Sequence, residues 1–107
     1  MKVSDLLPLL NAKAVCIPDG EREVTGGYCG DFLSFVMGRA PAGCCWFTVM
    51  TNVNVAAVAS LADVAAVAVC ENCACDAALV SRCEAQGINL LSVSEDVFGA
   101  VRRFLGK

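Results

Sequence analysis

The chain has 107 residues, 57% hydrophobic and only 18% charged, with a net charge of −3, eight cysteines and no histidine. Its eight lysines and arginines form no block beyond Arg102-Arg103, so the basic surface that nucleic-acid binding needs is missing. Without histidine there is neither Ser-His-Asp nor Cys-His machinery, and the expectation is a protein that is not an enzyme.

In chain order, Ser4 reads as the cap of a first helix carrying Leu6, Leu7, Leu9 and Leu10. Asp5 and Pro8 break this apolar stretch, unlike the centre of a secretory leader. KAVCI, Lys13 to Ile17, reads as a strand, and Pro18-Asp19-Gly20 as a turn. REVTGGY begins as a strand and is expected to break at Gly26-Gly27. Asp31 then opens an amphipathic helix with Phe32, Leu33, Phe35 and Val36, and Arg39 to Gly43 turns the chain. CCWFTVMT, Cys44 to Thr51, is apolar almost throughout and reads as a strand buried on both faces.

Asn52 or Asn54 is placed to cap the next helix, through Ala56, Ala57, Val58 and Leu61, and Val64 to Cys70 is a second buried strand. The long apolar region from Val53 to Cys70 is interrupted by Asn54, Ser60 and Asp63, so helix plus strand is expected in place of a membrane span. Asp76 caps a helix with Leu79, Val80 and Cys83, which Gly87 ends in the left-handed conformation. Ile88 to Val93 is a third buried strand. Ser94, with Glu95 and Asp96, marks the start of a last helix. Its apolar stripe is Val97, Phe98, Val101, Phe104 and Leu105, and Glu95, Asp96, Arg102 and Arg103 face away.

Helices alternating with apolar strands predict an α/β fold: one domain over residues 1–107, with a mostly parallel sheet of about four to five strands and helices on both faces. So few charges leave apolar surface uncovered, which points to a homo-oligomer. Many cysteines without a leader or a loop-rich disulfide texture fit a reducing cytoplasm, with the thiols as small apolar core residues.

Two segments invite a chemical reading. Gly26 and Gly27 can present backbone amides near a helix start, as a phosphate cradle does. No Gly-Lys-Ser/Thr follows, so this is not a P-loop, and Asp31 would repel an anion there. Either the glycines bend the backbone while Arg22 pairs with an acid, or Arg22 and Thr25 hold a small ligand. Thr51, Asn52 and Asn54 follow the central strand, and ligands of open parallel sheets bind beyond carboxyl strand ends. The second segment, CENCACDAALVSRC, holds Cys70, Cys73, Cys75 and Cys83. The first three can wrap zinc or an iron–sulfur cluster, or serve redox sensing, but Cys83 lies two turns into a helix. The expectation is no metal and no cofactor, with that thiol site as the alternative.

REVTGGY, the helix after it, CCWFTVMTNVNVAAVASLADVAAVAVC and QGINLLSV together resemble the DRTGG domain family from Ser4 to Phe104. Arg22, Thr25, Gly26 and Gly27 match its signature in order, with Glu21 where the family has aspartate. The resemblance implies a fold like the N-terminal domain of the bacterial kinase acting on the histidine-containing phosphocarrier protein. It also implies a regulatory or subunit-contact role, as in the pyrophosphatases regulated by cystathionine-β-synthase-type domains. The implied protein is non-catalytic, regulatory or scaffolding, dimeric, and binds a small ligand or a partner protein.

Overall fold

The apolar runs near residues 44–51, 64–70 and 88–93 become three adjacent parallel strands. The computed structural model describes residues 1–107. Five strands, β1 (Lys13–Cys16), β2 (Gly26–Cys29), β3 (Cys44–Thr48), β4 (Ala66–Val69) and β5 (Leu90–Ser92), form one sheet in the order β1-β5-β4-β3-β2. β2 to β5 are parallel, with Tyr28 beside Trp46, Trp46 beside Val67 and Val67 beside Leu90. β1 lies antiparallel on β5.

Alternation along the strands sends side chains into two separate cores. Cys44, Trp46, Val67, Val69 and Leu90 face one side, where α2 (Leu33–Arg39), α3 (Asn54–Ala62) and α4 (Ala77–Gln86) cover them. Cys45, Phe47, Ala66, Ala68 and Leu91 face the other, under α1 (Val3–Leu9) and α5 (Val97–Phe104). Burial on both faces is why these strands read as unbroken apolar runs. No helix is long and apolar enough to cross a membrane.

Several local expectations give way. Ser4 lies inside α1; its first turn is closed instead by Asp5, whose carboxylate accepts from the Lys2 amide at 2.8 Å. Gly26 and Gly27 do not bend the chain: they begin β2, and neither has positive φ. Asp31 does not open α2, which begins at Leu33 after Phe32. β3 stops at Thr48. Asn52 accepts from the Asn54 amide at 2.9 Å in a two-residue turn just before α3. Asp76 precedes α4 but makes no side-chain cap bond. Asp96, not Ser94, caps α5 by accepting from Gly99 N–H at 2.8 Å. Gly87 ends α4 in the left-handed conformation as expected, at φ 72°.

On α5 the apolar stripe is wider than the face it buries. Ala100 is buried and Val97, Val101 and Phe104 pack on the core, while Phe98 and Leu105 stay exposed. Glu95 and Arg103 pair with each other on the outer side.

Candidate functional site

The residues that the sequence singled out fall at opposite ends of the sheet. Thr25 precedes β2, and its N–H donates to Gly43 O, just ahead of β3, at 2.9 Å. Arg22 and Thr25 therefore sit at the amino ends of the parallel strands. Thr51, Asn52 and Asn54 follow the carboxyl end of β3, so the fold does not bring the two groups together.

At the amino end, Arg22 is engaged twice by one residue. Its Nη1 lies 3.0 Å from Asp63 Oδ1, and its Nη2 donates to Asp63 O at 2.8 Å. Thr25 Oγ1 donates to Ala42 O at 3.2 Å. Beneath them Asn89 is buried just ahead of β5. It accepts from the Asp19 amide at 3.0 Å and donates to Asp19 O and Ala65 O, both at 2.9 Å. The cavity that Asp19, Arg22, Ser60, Asp63 and Asn89 share has a volume of ≈ 120 Å³. Metabolite pockets usually start near ~300 Å³, so this one suits an ion or a few waters. Asn89 escaped the sequence reading, although an amide set inside the apolar run INLLSV was its signal.

Gly27 has a packing role. A Cβ there would lie 3.3 Å from the Phe104 ring and 3.6 Å from the Phe47 ring, so glycine lets α5 close onto the sheet edge. Gly26 has open space around its Cα, and its backbone amide belongs to a strand, not to a cradle.

At the carboxyl end, Asp31 ties the loop after β2 to β3: it accepts from Thr48 Oγ1 at 2.7 Å and from Val49 N–H at 2.9 Å. Thr51 O accepts from Asp76 N–H at 3.0 Å. Thr51, Asn52 and Asn54 line no cavity. The helix after β4 covers one face of the sheet and the helix after β5 covers the other, so the crevice of the parallel sheet opens between these two strands. There the backbone takes left-handed conformations at Glu71 and Asn72, and Asn72 N–H donates to Val93 O at 3.0 Å. A cavity of ≈ 230 Å³ lies beside it, lined by Asn11, Ala12, Lys13, Asn72, Ser92 and Ser94. No carboxylate lines it, and Lys13 makes no ion pair. Sequence reading missed this group because its members come from three distant segments.

The thiols do not converge. Cys70 lies in the core under α1 and α5, whereas Cys73, Cys75 and Cys83 belong to the core on the opposite face. No three Cys, Asp or Glu side chains gather closely enough to ligate a metal ion. Burial pushes the Cys70 thiol up to about 12, with Cys29 and Glu71 adding to it, and the Cys83 thiol up to about 12, with Cys16 and Cys75 adding to it. Burial also raises Cys75, helped by Asp76 and Cys73. Raised values of this kind favour the neutral thiol over the thiolate at Cys70, Cys75 and Cys83.

Compared with solved structures, the chain superimposes at a TM-score of 0.78 on the CBS and DRTGG domains of the regulatory region of Clostridium perfringens pyrophosphatase, a crystal structure of the complex with activator, diadenosine tetraphosphate. Its fold is DRTGG-like. The match covers 97% of this chain and 46% of the other, so the chain spans about half of that region, at 14% identity. No family model matches the sequence, and no curated protein does. The DRTGG-like fold is thus carried by the path of the backbone, and little of the neighbour's side-chain identity is kept.

Proposed function

We propose that this chain is a non-catalytic regulatory or scaffolding module, dimeric, that binds a small ligand or a partner protein. One observation carries the reading: nearly the whole chain adopts a fold found in the regulatory region of an enzyme. The acidic side chains support it, since Asp31, Asp63, Asp96 and Glu95 are each engaged by a structural partner. The module is assigned no metal or cluster, because its loop thiols point into two cores. A cytoplasmic setting suits its free thiols.

The crevice cavity beside Lys13 is the place for a small ligand. Its lining offers an ammonium, two amides and two hydroxyls, which favours an anionic or strongly polar group. The volume of ≈ 230 Å³ accommodates a phosphate or carboxylate group, and far less than a dinucleotide. Diadenosine tetraphosphate, the activator in the pyrophosphatase complex, would at most leave one phosphate here.

Thermal unfolding with inorganic phosphate, ATP and diadenosine tetraphosphate tests this. A binder at 100 times its dissociation constant stabilises the fold by roughly 2.7 kcal/mol. The expected result is a rise in Tm that Lys13→Ala abolishes. A Tm unmoved by any of the three at millimolar concentration would remove the small-anion reading. Stabilisation that persists in Lys13→Ala would move the site elsewhere.

A further inference from the structure

We propose that two copies of this chain join through the free edge of β2, antiparallel, to form one continuous sheet of five strands from each copy. The inference rests on the dimeric reading above and names its surface. β2 ends the sheet with no strand beyond it. Gly30 N–H closes its ladder on Phe47 O, and pairing alternates along a strand, so Gly27 and Cys29 turn their backbone N–H and C=O to the open side. An unpaired edge is a template for another strand, and native proteins usually blunt it with charge, proline or a covering element. GGYC carries none of these.

Beside the edge runs an apolar groove of ≈ 400 Å³, lined by Gly27, Tyr28, Cys29, Phe47, Val101, Phe104 and Leu105. Phe98 lies on the same flank of α5 as Leu105, seven residues away, and extends this surface. On the opposite face, α2 is the helix at this end of the molecule; Phe32, just before it, and Phe35 are exposed together with ring centroids 4.8 Å apart, while Met37 is exposed on another flank. Of the seven large exposed apolar residues, Phe32, Phe35, Phe98 and Leu105 therefore lie on or at the ends of the two helices that flank β2. Their exposures run from 45% to 75%.

Side chains of this size expose on the order of 100 Å² each at such values, so the four supply roughly 400 Å² per copy. The edge strand and the groove bring this toward the ~800 Å² per partner of a stable interface. A strand meeting its own copy antiparallel is self-complementary, as a two-fold interface demands. The same rotation brings α5 to its counterpart on one face and α2 to its counterpart on the other. No charged side chain lines the groove to oppose the approach.

Native mass and analytical ultracentrifugation across micromolar concentrations, together with amide hydrogen exchange, test the inference. The expected result is a two-chain mass and slow exchange at Gly27 and Cys29 that quickens on dilution. Cys29→Lys places a like charge on each copy at the pairing edge, and Phe98→Glu places one on each α5. Each should raise the dissociation constant at least tenfold while far-UV circular dichroism stays unchanged. Leu61→Glu, on α3, should leave it alone. A one-chain mass at every concentration would overturn the inference and the dimeric reading together. A dimer indifferent to Cys29→Lys and Phe98→Glu, with fast exchange at Gly27, would overturn the β2 edge alone. The ligand measurement with Lys13→Ala is independent of either outcome.

Discussion

Just ahead of β5, Asn89 uses its whole side-chain amide to hold three backbone groups from two other segments. Two of them belong to Asp19, in the turn after β1, and the third to Ala65, ahead of β4. A buried amide that meets its partners costs little, whereas its removal strands every partner at once. Asn89→Ala should lower stability by about 2–4 kcal/mol in urea unfolding with an unchanged m-value. A loss under about 0.5 kcal/mol would mean that water replaces the amide at no cost. Arg22, by contrast, is about one-third exposed and its partner Asp63 more so, and an exposed ion pair of this kind contributes little. Replacing Arg22 should therefore cost the fold less than replacing an asparagine that no motif marked.

Among the elements, the start of β2 shows how glycines divide their work. Gly43 ends the turn before β3 at φ 81°, and a Cβ there would fall 2.7 Å from Thr25 Oγ1. Backbone conformation and space both demand glycine at that point. Gly26, at the start of β2, has neither constraint. Gly43→Ala should therefore cost about 1–3 kcal/mol, and Gly26→Ala should be neutral or slightly stabilising by strand propensity. Equal effects of the two substitutions, measured by thermal unfolding, would contradict this division. Tertiary contact also overrode the helix signals: Asp31 looked like a cap in sequence, yet its carboxylate is drawn to Thr48 and Val49 at the end of the neighbouring strand. A cap signal names a residue that seeks an N–H; it cannot say which N–H lies closest once the sheet has formed.

For the molecule as a whole, the two cores make pH dependence predictable. Cys70 and Cys83 belong to opposite cores and both thiols are raised from 9.0 to about 12, burial being the leading cause. An unfolded chain would lose these protons near its ordinary value while the folded chain keeps them. Above that value the native state binds more protons than the unfolded state, so stability falls as pH rises. The contribution is complete below about pH 9 and is lost toward pH 12. Tm should decline across that window, and a variant with both cysteines replaced by alanine should decline less steeply. Parallel slopes would assign the alkaline loss to other groups. How far the molecule was legible beforehand follows from range. Amino-acid order alone determined the α/β class, the three central strands, their burial on both faces and the glycine stop of α4, because each depends on periodicity within a dozen residues. Only the tertiary structure decided that β1 turns antiparallel, that Arg22 and Thr51 lie at opposite ends, that the loop thiols divide between two cores, and that Lys13, Asn72 and Ser92 share a cavity. Those facts depend on which distant segments become neighbours, and that choice is made by the burial of both sheet faces at once, a property no local stretch of the chain contains.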